Sequence, residues 1–200
     1  MIHICDDFFK DPYKVRSIAL KAKYVTEKFN YPGMRSFDVP EEITDNILQD
    51  VRYYTKNKSL NFHKPSFQYV TEDYGEGIFH IDHVKYTCMV YLSLNPPVNS
   101  GTDVCDRGSY AKPSDMDFYD EKTRRIQNSF HKDPFNLINR YRYGRIRKKI
   151  NSYYTPYILM TVPNKFNRFI LFPGNNAHRA QNYFGTSLEK SRLTLISFFK

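Results

Sequence analysis

The chain has 200 residues, 40% hydrophobic and 16% aromatic, with only eight Gly and 11 Pro, which excludes collagenous, low-complexity and disordered classes and fits one globular domain over 1–200. Cys5, Cys88 and Cys105 are an odd number without CxxC spacing, so neither a disulfide framework nor a structural zinc site is expected, and a reducing, cytoplasmic setting is. Acids appear by Asp6 and no run approaches the roughly 20 apolar residues of a bilayer span, which argues against a signal peptide or a membrane segment.

In chain order, Asp11-Pro12 is a capping residue followed by proline at a first helical position, and Val15, Ile18, Ala19 and Ala22 continue at helical spacing. Tyr31-Pro32-Gly33 reads as a turn. A second helix is expected after Pro40, where Glu41 and Glu42 suit the positive end of the helix dipole and Ile43, Ile47, Val51 and Tyr54 form a stripe. From about residue 65 the texture changes to short strands. Ser66–Glu72, Ile78–Asp82, Tyr86–Leu94, Tyr157–Val162, Phe166–Phe172 and Arg192–Phe199 are aromatic or β-branched runs, separated by turn signals such as Asp73-Tyr74-Gly75 and Asn95-Pro96-Pro97. Helices in front and many strands behind predict an α+β fold with a sandwich or barrel core.

Residues 103–155 are polar and weakly periodic. Residues 122–150 alone hold ten Lys or Arg and one acid, Asp133, so the formal net charge of +9 belongs to that segment and the rest of the chain is balanced. At its end, Arg140-Tyr-Arg-Tyr-Gly-Arg-Ile-Arg-Lys-Lys149 interleaves cations with rings. That pattern fits nucleic-acid binding through residues 140–149 and equally a solvated insertion.

His80-Ile81-Asp82 places an imidazole and a carboxylate two residues apart, on one face of an extended chain. A second imidazole from a distant strand would complete a two-histidine, one-carboxylate set, which suits iron(II) and leaves coordination positions open. His178 is the candidate, since it follows Phe169-Ile-Leu-Phe-Pro173-Gly174, a buried strand ending in a turn. Taken singly, the pair also reads as a surface or capping pair, and His178 as a structural histidine. His3, His63, His83 and His131 fit the set less well. Arg192 opens the strand RLTLISFF, apolar on both faces, with Thr194 on its own face. An arginine entering such a strand calls for an anion, either a bound carboxylate or a neighbour such as Glu189.

His80-Ile-Asp82, then YTCMVYLSL at 86–94, Ser100-Gly101-Thr102, His178 and Arg192-Leu-Thr194 occur in an order that resembles the iron(II)/2-oxoglutarate oxygenases of the prolyl-4-hydroxylase-like type. The likeness covers roughly residues 66–200, and FFKDPYKVRSIAL and YPGMRS resemble an uncharacterised subgroup of that superfamily. The resemblance implies a double-stranded β-helix (jelly-roll, cupin-like) core with the N-terminal helices packed on one sheet, and residues 103–155 as a basic insertion. It implies His80, Asp82 and His178 as Fe(II) ligands, Arg192 and Thr194 as the clamp for the cosubstrate 2-oxoglutarate, and Tyr69 as a further contact to it. The implied reaction takes 2-oxoglutarate and O2 to succinate and CO2 while hydroxylating a protein, peptide, small-molecule or nucleic-acid substrate. Two departures stand out: Arg192 lies 14 residues behind His178 where the family's basic residue is closer, and the stretch from Asp82 to His178 is longer. A non-catalytic nucleic-acid-binding protein on the same scaffold, or a cupin-like metalloenzyme without 2-oxoglutarate, remains open at this point.

Overall fold

The computed structural model describes residues 1–25, 31–106 and 156–200, together with 121, 122, 125, 126, 129, 138, 139, 142, 144–146 and 148. Helix α1 spans Pro12–Lys21. The Asp11 carboxylate accepts the Lys14 amide at 3.0 Å, and Pro12 sits where no backbone donor is needed. Val15 and Ala19 face inward, and so does Arg16, which donates to the Leu92 and Glu189 carbonyls at 2.8 Å each. Helix α2 spans Glu41–Thr55, buries Ile43, Ile47 and Val51, and stops where Lys56 turns left-handed at φ 53°.

The strands are β1 (His3–Cys5), β2 (Met34–Ser36), β3 (Phe62–Val70), β4 (Tyr86–Tyr91), β5 (Thr102–Cys105), β6 (Ile158–Val162), β7 (Phe169–Pro173), β8 (His178–Ala180) and β9 (Arg192–Phe199). They form two antiparallel sheets, ordered β1-β7-β4-β9-β3-β2 and β6-β5-β8. Alternation along each strand gives the large sheet two unlike faces. One face, with Phe67, Val90, Leu92, Leu171, Leu193 and Leu195, shares a core with Val15, Ala19, Ile43, Ile47 and Val51 of the helices. The other, with Met89, Tyr91, Ile170, Phe172 and Ile196, packs against Val104 and Val162 of the small sheet. Each fully buried side chain of this kind is worth about 1.5–3 kcal/mol, so these two layers set the frame on which the polar residues are hung. Among the described residues, no helix is long and apolar enough to cross a membrane.

The structure departs from the sequence expectation in three places. Ile78–Asp82 is not a strand; it makes a single bridge, His80 to His178, because the Asp82 amide turns away to the Gly174 carbonyl at 2.8 Å. Thr102–Cys105, whose last three residues fall in the expected insertion, is the buried central strand of the small sheet. The rest of 103–155 lies largely outside the described residues. Within Arg140–Lys149 the described positions 142, 144–146 and 148 are helical. Finally, β1 and β2 are three residues each, too short for alternation to announce them.

Candidate metal centre

Two glycines allow the site to close. A Cβ on Gly174, just past β7, would stand 2.4 Å from the Val84 carbonyl oxygen and 3.0 Å from that of Asp82, so only glycine lets this turn lie against the segment carrying Asp82. The contact is fastened by Gly174 N–H to the Lys85 carbonyl, 3.0 Å, and by the Asn176 side-chain amide to the Cys105 carbonyl, 2.7 Å. A Cβ on Gly101 would likewise meet the Val162 carbonyl oxygen at 2.2 Å, so the Ser-Gly-Thr turn leading into β5 hugs β6. The consequence of the first closure is that His80 and His178 become cross-strand partners, exchanging backbone hydrogen bonds of 3.1 and 2.9 Å, with their ring centroids 4.3 Å apart.

Asp82, two residues beyond His80, joins them. One ligand atom from each of His80, Asp82 and His178 lies within 4.8 Å of the others. Nε2 of His80 is 3.8 Å from Asp82 Oδ1, and Nε2 of His178 is 3.4 Å from Oδ2. Both Nδ1 atoms donate to carbonyls, His80 to Ile78 at 2.9 Å and His178 to Asn176 at 3.0 Å. That orients both rings with Nε2, the atom facing Asp82, as the one placed to ligate a metal. The Thr87 hydroxyl donates to Asp82 Oδ2 at 2.6 Å. Burial pushes the Asp82 carboxyl up, but facing His178, His80 and the Thr87 hydroxyl outweigh it and hold the group well below the usual carboxylate range. Burial pulls the His178 imidazole down; the Asp82 carboxylate and the Asn176 carbonyl overcome that and raise it. Two imidazoles and one carboxylate, converging from one side, are the donor set and geometry that fit iron(II) with open positions. The carboxylate cancels half of a dication's charge, so an anionic ligand is still attracted. His80 is the open side of the triad, its side chain 53% exposed against 6% for His178.

Deeper between the sheets lies Arg192, 4% exposed. Its guanidinium donates to the Ser100 and Gly101 carbonyls and, at 3.0 Å, to the Thr102 hydroxyl; it also lies 3.6 Å from Met89 Sδ and 5.1 Å from the Tyr91 ring centre. Among the described residues, every one of these partners is neutral. The strands fix its depth. Thr87, Met89 and Tyr91 alternate along the inner face of β4, with Thr87 at the triad and Met89 at the guanidinium; on β5, Val104 stands opposite His178 and Thr102 opposite Ala180. Both strands put the guanidinium one inward step, about 6.6 Å, from the level of the triad.

No protein-family model and no curated relative matches the sequence. Solved structures do. HygX from Streptomyces hygroscopicus, with nickel and 2-oxoglutarate bound, superimposes with a TM-score of 0.58 at 14% identity, covering 99% of this chain and 82% of that one. The viral collagen prolyl hydroxylase vCPH from Paramecium Bursaria Chlorella virus-1, in its 2-oxoglutarate complex, gives 0.52 at 12% identity over 99% and 94% of the two chains. SnoN, a non-heme alpha-ketoglutarate-dependent epimerase from nogalamycin biosynthesis, gives 0.54 at 12% over 99% and 75%. The fold is that of the iron(II)/2-oxoglutarate oxygenases.

Within this oxygenase fold, His80, Asp82 and His178 meet at one point, and Arg192 and Thr194 share the inner face of β9. Tyr69 is a correction. Its partner across β3–β9 is Leu193, whereas Gln68 faces Thr194. The Tyr69 ring therefore turns to the helix side, where its hydroxyl donates to Met34 Sδ at 2.7 Å and its edge meets Tyr24. The tyrosine on the inner face is Tyr91, with its hydroxyl 2.6 Å from that of Thr102. Tyr91, Thr102, Thr87 and Asn176 are the contributors that sequence reading missed. For Thr87 and Tyr91 a signal existed, since both fall on one face of the alternating run at 86–94. Thr102 was legible only as part of the Ser-Gly-Thr turn and Asn176 gave no signal, because their roles come from contacts between segments distant along the chain.

Proposed function

We propose that residues 1–200 act as one iron(II)- and 2-oxoglutarate-dependent oxygenase domain that hydroxylates a substrate. The observation that carries this reading is the buried Arg192 guanidinium, whose hydrogen-bond partners among the described residues are all neutral and which lies one inward step from the triad. A buried cation without a counter-ion costs several kcal/mol. A five-carbon dicarboxylate reaching inward from the metal would bring its far carboxylate to Arg192 and be gripped in fork geometry. His80, Asp82 and His178 would hold the metal, Arg192 with the Thr102 and Tyr91 hydroxyls the far carboxylate, and Thr194 lines the same face. Bound there, iron(II) and 2-oxoglutarate supply oxygen activation, with 2-oxoglutarate and O2 giving succinate and CO2 as one oxygen atom enters the substrate. Around it, Ile170 and Phe172 keep the inner wall dry, Thr87 holds Asp82 in place, and the exposed side of His80 is where substrate approaches. Cys5, Cys88 and Cys105 are all free thiols, the last two buried, which fits the reducing, cytoplasmic compartment that ferrous iron favours.

HygX and vCPH, each solved with 2-oxoglutarate, support the cosubstrate. Because the same fold includes an epimerase, hydroxylation rests on the site and its test. The experiment is an anaerobic titration of the protein with Fe(II) and then 2-oxoglutarate, following the metal-to-ligand charge-transfer band, in wild type, Asp82→Ala and Arg192→Met. A band in wild type, none in Asp82→Ala, and a 2-oxoglutarate requirement raised roughly 10- to 100-fold in Arg192→Met are expected. Iron binding without a band points instead to a cupin-like enzyme using another ligand. Oxygenation of a substrate, read by mass spectrometry as a gain of one oxygen atom with matching succinate, separates hydroxylation from epimerisation.

A further inference from the structure

The Lys85 N–H donates to the Phe199 carbonyl at 2.9 Å, and the Lys200 N–H to the Asn61 carbonyl at 3.3 Å. These bonds gather the start of β4, the end of β9 and the connection from α2 to β3 around an open groove of about 1080 Å³. Ile81 and Asp82 are part of its lining, so the groove adjoins the triad. The charged and imidazole side chains that line it are Asp82, His83, Lys85 and Lys200. Both lysines are exposed, and among the described residues neither ammonium has an ion pair or a hydrogen bond. Asp82, the one acid of the lining, already faces two imidazoles and the Thr87 hydroxyl. Asn57 adds a donor. Its Oδ1 accepts from the Ser59 amide and hydroxyl at 3.0 and 2.8 Å, so what it offers the groove is its Nδ2 amide. Tyr86 and Pro173 supply apolar wall.

We propose that this groove is the substrate subsite of the metal centre and takes a small organic molecule that carries a phosphate group. Ammonium and amide groups that only donate favour an anion. Two ammoniums are compact point charges, which suit a tetrahedral phosphate. A carboxylate is better met by the planar fork of an arginine, and no arginine is among the described residues of the lining. The volume is that of a small-molecule site, and the apolar wall suits an organic body behind the phosphate. A molecule anchored by its phosphate at the two lysines extends over Ile81, the residue between His80 and Asp82. The substrate role rests on the oxygenase reading above; the phosphate site itself does not.

The test is calorimetric titration of the metal-free full chain with phenyl phosphate, benzoate and a phosphoserine peptide, in wild type and in Lys85→Gln/Lys200→Gln. Phenyl phosphate is expected to bind wild type and to bind the double variant about tenfold more weakly or worse, the loss that goes with charge-assisted hydrogen bonds. Both lysines are exposed, so the thermal midpoint of the variant should match that of wild type. No binding to wild type, or equal binding to the variant, would overturn the site. Benzoate that binds as tightly, and is weakened as much in the variant, would overturn the phosphate assignment; a phosphoserine peptide that binds more tightly than phenyl phosphate would overturn the small-molecule one. The anaerobic Fe(II)/2-oxoglutarate band tests the subsite role: phenyl phosphate should shift it in wild type and leave it unmoved in the double variant. A band unmoved in wild type sets the groove apart from the metal and overturns that role. Absence of any band in wild type sinks the oxygenase reading, while the calorimetry still decides the phosphate site.

Discussion

The hydroxyl of Thr87 donates to Asp82 Oδ2 at 2.6 Å, on the same oxygen that lies 3.4 Å from Nε2 of His178. Because β4 is locked on both sides by β7 and β9, with Thr87 registered to Phe172 and Phe198, the large sheet itself holds the Asp82 carboxylate in its rotamer. Partners of this kind typically account for 10- to 100-fold in metal affinity. Thr87→Val keeps the shape and removes the donor. It should weaken Fe(II) binding by about that factor while the thermal midpoint of the metal-free protein moves little, and Thr87→Ser should restore affinity. Competitive metal titration measures it; equal affinity in Thr87→Val would deny the hydroxyl this role.

Protons and metal compete at His178. Its imidazole is raised above the ordinary value near 6.5 by the facing Asp82 carboxylate. A raised folded value means the pairing stabilises the metal-free protein fully below about pH 6.5 and is lost as pH climbs through the folded value. Iron needs the neutral ring, so apparent Fe(II) affinity should rise by up to tenfold per pH unit below that folded value and level off above it. Asp82→Asn removes the counter-charge and leaves burial to act, so the His178 titration should move downward. NMR of the imidazole in the metal-free protein, beside metal titrations across pH, reads both; an affinity that falls with rising pH would contradict the pairing.

Tyr69 and Tyr91 make opposite predictions. The Tyr69 hydroxyl meets Met34 on the helix side, so Tyr69→Phe should leave the KM for 2-oxoglutarate unchanged. Tyr91 stands beside Arg192 and bonds the Thr102 hydroxyl. Tyr91→Phe should raise that KM several-fold, as expected for a lost hydrogen bond of about 1 kcal/mol. Succinate release against 2-oxoglutarate concentration decides between them.

Gly174→Ala forces a Cβ into the Val84 and Asp82 carbonyls. Backbone must shift, at a cost of about 1–3 kcal/mol, and the shift falls on the segment that carries Asp82. Both the thermal midpoint and Fe(II) affinity should drop. A drop in stability with affinity intact would mean the turn merely fills space.

Much was legible from local chemistry. The proline-started α1, the stripe of α2, the long strands β4, β7 and β9 and the separation of His80 from Asp82 by one residue all follow from periodicity, capping and the two-residue repeat of extended chain. These are properties of neighbours, and a sequence displays its neighbours directly. The face of a strand is harder. Tyr69 and Gln68 are adjacent, and only the register of β3 on β9 shows that Gln68, not Tyr69, shares the inner side with Thr194. A slip of one residue exchanges the faces, and nothing local prevents it. The same holds for β5, whose polar Thr102 and Asp103 read as loop until the small sheet buries them, and for the neutral hydrogen-bond partners that Arg192 has among the described residues. By itself the sequence determined which donor atoms and which cation the protein carries, because side-chain chemistry is set residue by residue. That the three donors converge within 4.8 Å, with the guanidinium one step behind them, was decided by two sheets closing on shared apolar layers. Burial has no direction of its own, and only the register of the strands gives it one.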